Sequence, residues 1–540
     1  MAPESSHAIA GSIAVVLLSL TVYSLSGVFR SFRRASQSPL RDLKGPKSVS
    51  WVTGSVKGVF ESDAPEEYLN WIKEYGPTFK YHSYFNMDKL LTVDLKAIDH
   101  ILTHSMGFYK TDEVQFALYE LVGEGLLAVE GAQHKKQRRV LSPAFGVQQT
   151  REFTPLVWDK SLELRDVLLS TCSNTPASDK QTRVDIFDWL GRAALDMIGL
   201  VGFNYSFNSL AAGDEQPSEL HEAVRTMMAF DSNSLSFLIP LVFPPARHIP
   251  TKRARELARS RSILHRIGGQ IVAERKAAVL AGISDSEKES LGKNSIEGRD
   301  LMSLLIKANL ANDVAEDARL SDEDLVSRHT ALSWTLLLLC HNAAAQDKLR
   351  AEVSAFPTDM PTMEQLSAMP YLDAVLRESL RVHSPVAETE RVAVEDCVIP
   401  VESEYADRFG NTRREIRLNK GDAILVPLRE VHLSKEIWGE DALEFIPERW
   451  ESIPGAAKSI PGVYSNLLSF ITGPHACIGY RFALLEAKAV LLTLIRSFVF
   501  DFAVPEDQIV RKMMVVGRPH LASELLEGPQ MPILIRPVNL

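Results

Sequence analysis

The stretch Phe470-Ile-Thr-Gly-Pro-His-Ala-Cys-Ile-Gly479 places one cysteine among two glycines and a proline. Apolar residues then recur every three or four positions from 478 to 495, which predicts an amphipathic helix. Glycine permits a sharp turn and the close approach of a flat ligand. A sulfur at a helix N-terminus meets the positive end of the helix dipole, which favours the thiolate that binds iron. The alternative is a cysteine that only packs in a buried loop.

Composition narrows the class of protein. The 540 residues carry a net charge of −10, so nucleic-acid binding is set aside. The four cysteines are widely spaced, which excludes a disulfide scaffold and a metal site built from local cysteine spacing. Helical periodicity dominates, and the clearest strand signal is a hairpin pattern around Gly410-Asn411. The chain is predicted to be mainly α with a minor β portion.

The N-terminal region predicts a membrane anchor. Residues 9–28 carry no formal charge and are long enough for a helix to cross the hydrocarbon core. Basic residues follow this run but do not precede it, which places the downstream chain in the cytoplasm. A cleaved signal peptide is the alternative, but it requires a basic n-region and a shorter apolar core. We therefore predict four parts: a lumenal N-terminus at 1–8, a transmembrane anchor at 9–28, a basic, proline-containing tether at 29–50 and the body at 51–540.

The loop at 470–479 resembles the haem-binding loop of the cytochrome P450 superfamily, F-x-x-G-x-[RH]-x-C-x-G, at every fixed position. The resemblance implies that Cys477 is the axial ligand of a haem b iron. It implies a cofactor-binding role for Phe470, Gly473 and Gly479, and makes His475 a propionate donor in the place of the usual arginine. The expected fold is the cytochrome P450 fold preceded by one N-terminal transmembrane helix, with 51–540 as the catalytic domain.

Two further segments resemble the family. Glu378-Ser-Leu-Arg381 matches its E-x-x-R motif, and Pro447-Glu-Arg449-Trp resembles its P-E-R-[FW] loop. The resemblance implies that Glu378, Arg381 and Arg449 form a buried structural charge network. Taken alone, the Glu378–Arg381 pair is more typical of a solvated ion pair worth under about 1 kcal/mol.

The segment 131–139 resembles the family's C helix, where two residues four apart reach a haem propionate. The resemblance assigns His134 and Arg138 to these positions, on one helix face. The other interpretation of this basic segment is a surface stripe for anionic lipid or a protein partner. Both interpretations can apply, because His134 and Arg138 would turn inward. The remaining basic residues would face an acidic flavoprotein that delivers electrons: Lys135, Lys136 and Arg139.

The resemblance implies a haem-thiolate monooxygenase. A thiolate ligand donates electron density to iron and favours O–O cleavage, while the protein positions the substrate and excludes water. Segments 202–210 and 436–450 resemble the fungal microsomal branch. That branch implies a single-pass protein of the endoplasmic reticulum membrane whose catalytic domain faces the cytoplasm. It also implies electrons from NADPH through NADPH–cytochrome P450 reductase, with cytochrome b5 as a further candidate donor.

The expected substrate is a lipophilic small molecule that is hydroxylated or epoxidised. A terpenoid of fungal secondary metabolism is suggested by analogy of fold and lineage alone. The apolar run 234–245 lies where the family has its F–G region. It suits a lipophilic access route or, equally, a plain buried segment.

The central I helix departs from the family pattern. Its flanks are present at 320–326 and 330–336, but only Ser327, Arg328 and His329 stand between them. The family's [AG]-G-x-[DE]-T-[TS] string, whose acid and alcohol organise water for proton delivery, is absent. The gap amounts to about a dozen residues, or about 18 Å of helix. No oxygen-activating residue is therefore assigned.

Three explanations fit the gap between Val326 and Thr330. The sequence reflects an exon-boundary error or a splice form; Thr330 or His329 replaces the missing pair; or the protein binds haem but no longer activates oxygen. The alternative function is thus a catalytically impaired haem-binding relative or a mis-spliced form. A haem-free anchored scaffold is disfavoured, because it has no need of Cys477, the Glu378–Arg381 pair and Arg449 at these spacings.

Overall fold

The structure, a computed structural model, describes residues 36–56, 66–174, 181–211, 219–228, 249–281, 322–513 and 516–538, together with six isolated positions (33, 239, 240, 246, 247 and 302). The predicted lumenal N-terminus and anchor, residues 1–28, lie outside these ranges. Within the described ranges, no helix combines the length and the apolar character that crossing a bilayer requires.

Helices make up most of the described chain, which confirms the mainly α prediction. In chain order they are α1 (Glu66–Tyr75), α2 (Leu95–Thr103), α3 (Asp112–Val122), α4 (Gly131–Leu141), α5 (Val147–Ser173), α6 (Ile186–Phe203), α7 (Glu219–Met228), α8 (Lys252–Ala281), α9 (Asp322–His341), α10 (Ala343–Ala355), α11 (Met363–Ser367), α12 (Pro370–Val382), α13 (Leu428–His432), α14 (Lys435–Trp438) and α15 (Tyr480–Ser497). Helices α5, α6, α9, α12 and α15 pack on one another around the main hydrophobic core.

The strands form the predicted minor β portion. They are β1 (Thr78–His82), β2 (Asp88–Thr92), β3 (Phe108–Tyr109), β4 (Thr182–Asp185), β5 (Thr389–Ala393), β6 (Cys397–Ala406), β7 (Thr412–Leu418), β8 (Ala423–Val426), β9 (Phe498–Phe502), β10 (Ile509–Lys512), β11 (Arg518–Leu521) and β12 (Pro532–Pro537). The largest sheet has the order β1-β2-β8-β5-β3, with only the β2–β8 pair parallel. A second sheet has the order β4-β12-β9, and β6–β7 and β10–β11 form separate two-stranded ladders.

The predicted hairpin is β6–β7, and its turn is stabilised locally. Asp407 accepts hydrogen bonds from the backbone N–H groups of Phe409 and Asn411, each at 2.9 Å. Gly410 adopts φ +86°, which glycine reaches at no steric cost. Turn chemistry of this kind is encoded in a few adjacent residues, and the sequence pattern therefore located it.

Helix α15 follows the cysteine loop as predicted, but it is more buried than its amphipathic pattern indicates. Glu486 and Lys488 are 2% and 6% exposed. The Lys488 Nζ atom lies 2.6 Å from Asp373 Oδ1 on α12, so the charge is compensated inside the core. The helix is therefore a central element of the fold, with the cysteine loop at its N-terminal end.

The predicted tether joins the body earlier than residue 50. Leu40 is fully buried and Leu43 is 6% exposed. The Ser38 hydroxyl donates a hydrogen bond to Asp422 Oδ2 at 2.9 Å, beside the start of β8. From Ser38 onward the chain is thus held against the large sheet.

Candidate functional site

The loop before α15 is held in one conformation by its own backbone. The Cys477 N–H donates to the Phe470 carbonyl at 2.9 Å, and Cys477 is half-buried. Gly473 adopts φ +71°, and a Cβ atom at this position would lie 2.4 Å from the Leu102 carbonyl oxygen of α2. A side chain is excluded there by both strain and space, so the predicted role of Gly473 has a geometric basis. Gly479 caps α15 with φ −93°, a conformation that does not itself require glycine.

The three predicted propionate donors lie together beside this loop. His134 of α4 is buried, and its ring centroid lies 3.9 Å from that of His475, with the planes tilted by 31°. Arg138, one turn further along α4, donates from Nη1 to the Ala476 carbonyl at 2.6 Å. These contacts place two imidazoles and one guanidinium around the residue preceding Cys477.

Three further charged residues, which the sequence patterns did not identify, complete this cluster. The Glu130 Oε1 atom accepts hydrogen bonds from the Lys110 backbone N–H at 3.0 Å and from Lys110 Nζ at 2.8 Å. Its Oε2 atom lies 3.1 Å from His475 Nε2. Arg391 of β5 is 3% exposed, and its charge acts on both Glu130 and His475. No local motif marks Lys110, Glu130 or Arg391, because they reach the cluster through separate elements.

The electrostatics leave this cluster positively charged. Burial lowers the pKa of His134 to about 3, and the neighbouring His475 and Lys110 act in the same direction. Burial acts to raise the pKa of Glu130, but the hydrogen bond with His475 and the charge of Lys110 outweigh it and hold that pKa at about 2. Neutral imidazoles and one carboxylate therefore stand against three cations: Lys110, Arg138 and Arg391.

This donor set fits the group that the sequence implies. A haem b carries two propionates, and a cluster with excess buried cations and imidazole donors suits carboxylates of that kind. The half-buried sulfur of Cys477 lies just outside the N-terminus of α15, where the helix dipole favours a thiolate. Cys477 would hold the iron, and His134, Arg138 and Arg391 would hold the propionates, with His475 fixed beside them by Glu130.

Helix α4 presents different side chains to the interior and to solvent. His134 is buried and Arg138 is half-buried, whereas Lys135, Lys136 and Arg139 are exposed. The exposed cations lie on the same helix as the cofactor donors, so a partner bound to them would sit close to the cysteine loop.

Arg381 and Arg449 both contact the Glu378 carboxylate directly. The Arg381 guanidinium donates from Nε and Nη2 to the two carboxylate oxygens of Glu378, at 2.9 and 2.8 Å. Arg449 Nε donates to Glu378 Oε1 at 3.3 Å, and Trp450 Nε1 donates to Glu378 Oε2 at 3.0 Å. Glu378 and Arg381 are fully buried, so this pair is not a solvated surface pair.

The same network is connected to the cysteine loop. Arg381 also donates to the backbone carbonyls of His432, Ala442 and Glu444. His432 Nε2 accepts a hydrogen bond from the Leu468 N–H at 2.8 Å, two residues before the loop begins. The network therefore fixes the position of the loop through backbone hydrogen bonds. This is a structural role and not a catalytic one.

Helix α9 occupies the place of the I helix and is continuous across the gap in the family pattern. The His329 ring packs edge-on against Phe187 of α6, with centroids 4.6 Å apart. Ser333 and Thr335 are fully buried and donate to carbonyls one turn back, the latter also sharing a hydrogen bond with Ser379. The His329 ring is thus used in packing α9 against α6, and Thr330, the other candidate replacement, is fully buried beside it.

A cavity of about 930 Å³ lies between α3, α7 and α8. Its walls combine apolar residues with charges, among them Phe116, Glu120, Arg247 and Leu257. The Arg247 guanidinium lies 4.2 Å from the Phe116 ring centroid. Apart from Ile239 and Pro240, the predicted access segment 234–245 lies outside the described residues.

Comparison with known proteins gives one consistent result. Residues 43–523 match the sequence profile of the family described as Cytochrome P450. The chain is 42% identical to cytochrome P450 monooxygenase 205 of Postia placenta, covering 97% of this chain and 98% of the relative. It is 41% identical to monooxygenase 128 of the same fungus, covering 98% of both chains. It is 34% identical to cytochrome P450 monooxygenase claP of Ampulloclitocybe clavipes, covering 98% of this chain and 99% of that relative.

Proposed function

The chain belongs to the cytochrome P450 family, and on this premise we propose that it is a membrane-anchored haem-thiolate monooxygenase that hydroxylates or epoxidises a lipophilic small molecule. The observation that carries the proposal is the convergence of the cysteine loop with a buried cationic cluster. A bound haem would supply oxygen activation and transfer of one oxygen atom to the substrate.

The chain's own residues would bind and orient the cofactor. Cys477 would hold the iron at the N-terminal end of α15, and the Phe470 carbonyl contact keeps its backbone in place. Arg138 and Arg391 would bind the propionates as fixed cations, and His134 would donate from a neutral ring. A neutral His475 has a single N–H, which the Glu130 carboxylate takes up, so the predicted donation from His475 to a propionate does not fit this contact. Glu130 orients the His475 ring, because its Oε2 atom lies 3.1 Å from His475 Nε2.

Electrons would arrive from NADPH through NADPH–cytochrome P450 reductase, with cytochrome b5 as a second candidate donor. The exposed Lys135, Lys136 and Arg139 support this, because a cationic surface next to the cysteine loop favours association with an acidic partner. The endoplasmic reticulum membrane, with the catalytic domain in the cytoplasm, is proposed from the apolar run 9–28 and the basic residues after it.

The substrate is proposed only as a class. The cavity between α3, α7 and α8 is large enough for a molecule of drug size, and its mixed lining suits a lipophilic compound with a polar group. A terpenoid remains the proposal by analogy of fold and fungal lineage alone.

A second candidate function, a haem-binding but catalytically impaired or mis-spliced form, is favoured by α9. Only Ser327, Arg328 and His329 separate the two flanks of the family's motif, and the His329 ring is engaged with Phe187. Restoring a family-like segment after Val326 separates the two candidates. An impaired form should gain turnover with reductase, whereas an active form should gain none.

The first experiment is the dithionite-reduced, carbon monoxide difference spectrum of the full chain in membranes. A red-shifted Soret band of the thiolate type is expected for the wild type and for Cys397→Ser, a matched control at another half-buried cysteine. Cys477→Ser should abolish the band. A wild type without the band, or a Cys477→Ser variant that keeps it, would overturn the assignment.

A further inference from the structure

The Arg247 guanidinium is held in the wall of the cavity between α3, α7 and α8. Arg247 is half-buried, and its guanidinium carbon lies 4.2 Å from the centroid of the Phe116 ring. Its Nε atom donates a hydrogen bond to the Pro240 carbonyl at 3.0 Å. Within the part of the chain that the structure describes, Nη1 and Nη2 make no hydrogen bond. The side chain is thus fixed on one side, and two nitrogens that carry N–H donors are left for a ligand.

Two carboxylates that line the same cavity are already paired with arginines of α8. Arg261 Nη2 lies 2.8 Å from Glu120 Oε2, and Arg266 pairs with Glu219. Each of these acids therefore has a cation of its own, and no ion pair joins either of them to Arg247.

Two further arginines that line the cavity are satisfied in other ways. Arg253 Nη2 donates to the Met227 carbonyl at the end of α7 at 3.3 Å, and Nη1 lies 4.0 Å from Glu256 Oε2. Arg259 is exposed, so water solvates its charge. Among the described residues of this wall, Arg247 is therefore the half-buried arginine with no acid beside it. A charge withdrawn from water without a counter-ion is costly, so a ligand that supplies an anion would bind favourably here.

The shape and charge of the cavity select the kind of anion. A guanidinium binds a carboxylate through two parallel N–H···O hydrogen bonds. The carboxylates of Glu120 and Glu219 would repel a dianionic phosphate more strongly than a singly charged carboxylate. The apolar part of the wall comes from all three helices: Phe116, Ala117 and Leu121 of α3, Ala223 of α7, and Leu257 and Ile263 of α8. The cavity therefore fits an ionised carboxylic acid with a hydrocarbon body.

This cavity begins close to the cationic cluster at the cysteine loop. Lys110, whose Nζ donates to Glu130 in that cluster, lies two residues before the start of α3. Phe116 lies four residues after Asp112, the first residue of α3, which is about 6 Å along the helix axis. One molecule of drug size is therefore long enough to reach from Arg247 to the cofactor site.

From these contacts we propose that Arg247 binds the carboxylate of the substrate, and that the substrate is a lipophilic carboxylic acid. The proposal rests on the monooxygenase proposed above and names its substrate class. Arg247 is then a specificity-determining residue. Its Nη1 and Nη2 atoms would hold the carboxylate, Phe116 would keep the guanidinium plane in place, and the apolar wall would bind the hydrocarbon. A neutral molecule with the same hydrocarbon would leave the guanidinium unpaired and would bind more weakly.

The test is equilibrium dialysis of the full, detergent-solubilised chain with radiolabelled decanoate and, separately, decanol. The two probes share their hydrocarbon length and differ in charge at neutral pH, and a cell with detergent alone corrects for partition into micelles. The wild type should bind decanoate more tightly than decanol. Arg247→Gln should weaken decanoate binding by about tenfold to a hundredfold and leave decanol binding unchanged. Arg259→Gln is the matched control, since it removes an exposed arginine from the same cavity, and both affinities should stay unchanged.

Three results would overturn the proposal. The first is a wild type that binds the two probes equally, and the second is an Arg259→Gln variant that loses as much decanoate affinity as Arg247→Gln. If Arg247→Gln binds neither probe, Arg247→Lys decides, because it keeps the charge and loses only the planar fork. This variant should still prefer decanoate to decanol, and equal binding of the two is the third contrary result.

The carbon monoxide spectrum of the same preparations separates this inference from the proposed function. Equal binding of the two probes by a chain that shows the thiolate-type band overturns the carboxylate site alone. A preference for decanoate that depends on Arg247, in a chain without that band, overturns the haem-thiolate assignment and supports the carboxylate site.

Discussion

The imidazole rings of His134 and His475 lie 3.9 Å apart, centroid to centroid, in a site that excludes most solvent. Two charged rings at this separation would repel strongly, and burial already disfavours either charge. The pKa of His134 falls to about 3 for these reasons. Both rings therefore act as neutral hydrogen-bond donors, while Arg138 and Arg391 carry the fixed positive charge.

A pH dependence of stability follows from this buried imidazole. Unfolded His134 takes up a proton as pH falls through its ordinary pKa of 6.5, whereas folded His134 does so only near 3. The free energy of unfolding should therefore decrease as the pH is lowered between these two values, by at most about 1.4 kcal/mol per pH unit. Urea unfolding of the detergent-solubilised chain across this range measures the slope. His134→Asn should flatten it, and the exposed His265→Asn should not; equal slopes in all three proteins would contradict the prediction.

Glu378 should be among the most sensitive positions for stability. Glu378→Gln removes the carboxylate that Arg381 and Arg449 share and leaves two guanidinium groups without their buried partner. The expected loss is about 3–5 kcal/mol in the free energy of unfolding, together with loss of the thiolate-type band. Asp441→Asn is the matched control, because Asp441 pairs with the same Arg449 but is 46% exposed. It should change stability by less than about 1 kcal/mol.

Gly473 should tolerate no side chain. Gly473→Ala introduces a Cβ atom 2.4 Å from the Leu102 carbonyl oxygen at φ +71°, so the cysteine loop must move. We expect loss of the thiolate-type band in the reduced carbon monoxide spectrum. Gly410→Ala shares the positive φ, but a Cβ there meets nothing within 4 Å. It should cost about 1–2 kcal/mol in stability and leave the band in place.

The exposed basic residues of α4 and the half-buried Arg138 should have different functions. Lys135→Gln/Lys136→Gln/Arg139→Gln removes only exposed charge, so haem content should be unchanged. The rate of haem reduction by NADPH–cytochrome P450 reductase, followed by stopped-flow absorbance, should fall and lose most of its dependence on ionic strength. Arg138→Gln should instead lower haem content. Equal haem loss in both variants would contradict the division between the two faces.

Part of this organisation could be predicted from neighbouring residues alone. The cysteine loop, the helix that follows it, the β6–β7 hairpin and the Glu378–Arg381 pair depend on side chains within one or two turns of each other. Short-range sterics and hydrogen bonding determine such features, so spacing is enough to locate them. The membership of His134 and Arg138 in the cofactor cluster came from the family resemblance rather than from spacing.

Tertiary packing alone decided the rest. Glu130 contacts His475, and Lys110 and Arg391 act on it through their charges; the three come from a helix cap, a loop and a strand, and periodicity contains no signal for interactions at such separation. The same is true of Lys488, which is polar in sequence and buried against Asp373 in the fold. The sequence by itself determined the chemistry available at Cys477 and the helical character of the chain, because both are local. The charge around the cofactor site and the burial of α15 arise only when distant elements exclude water together.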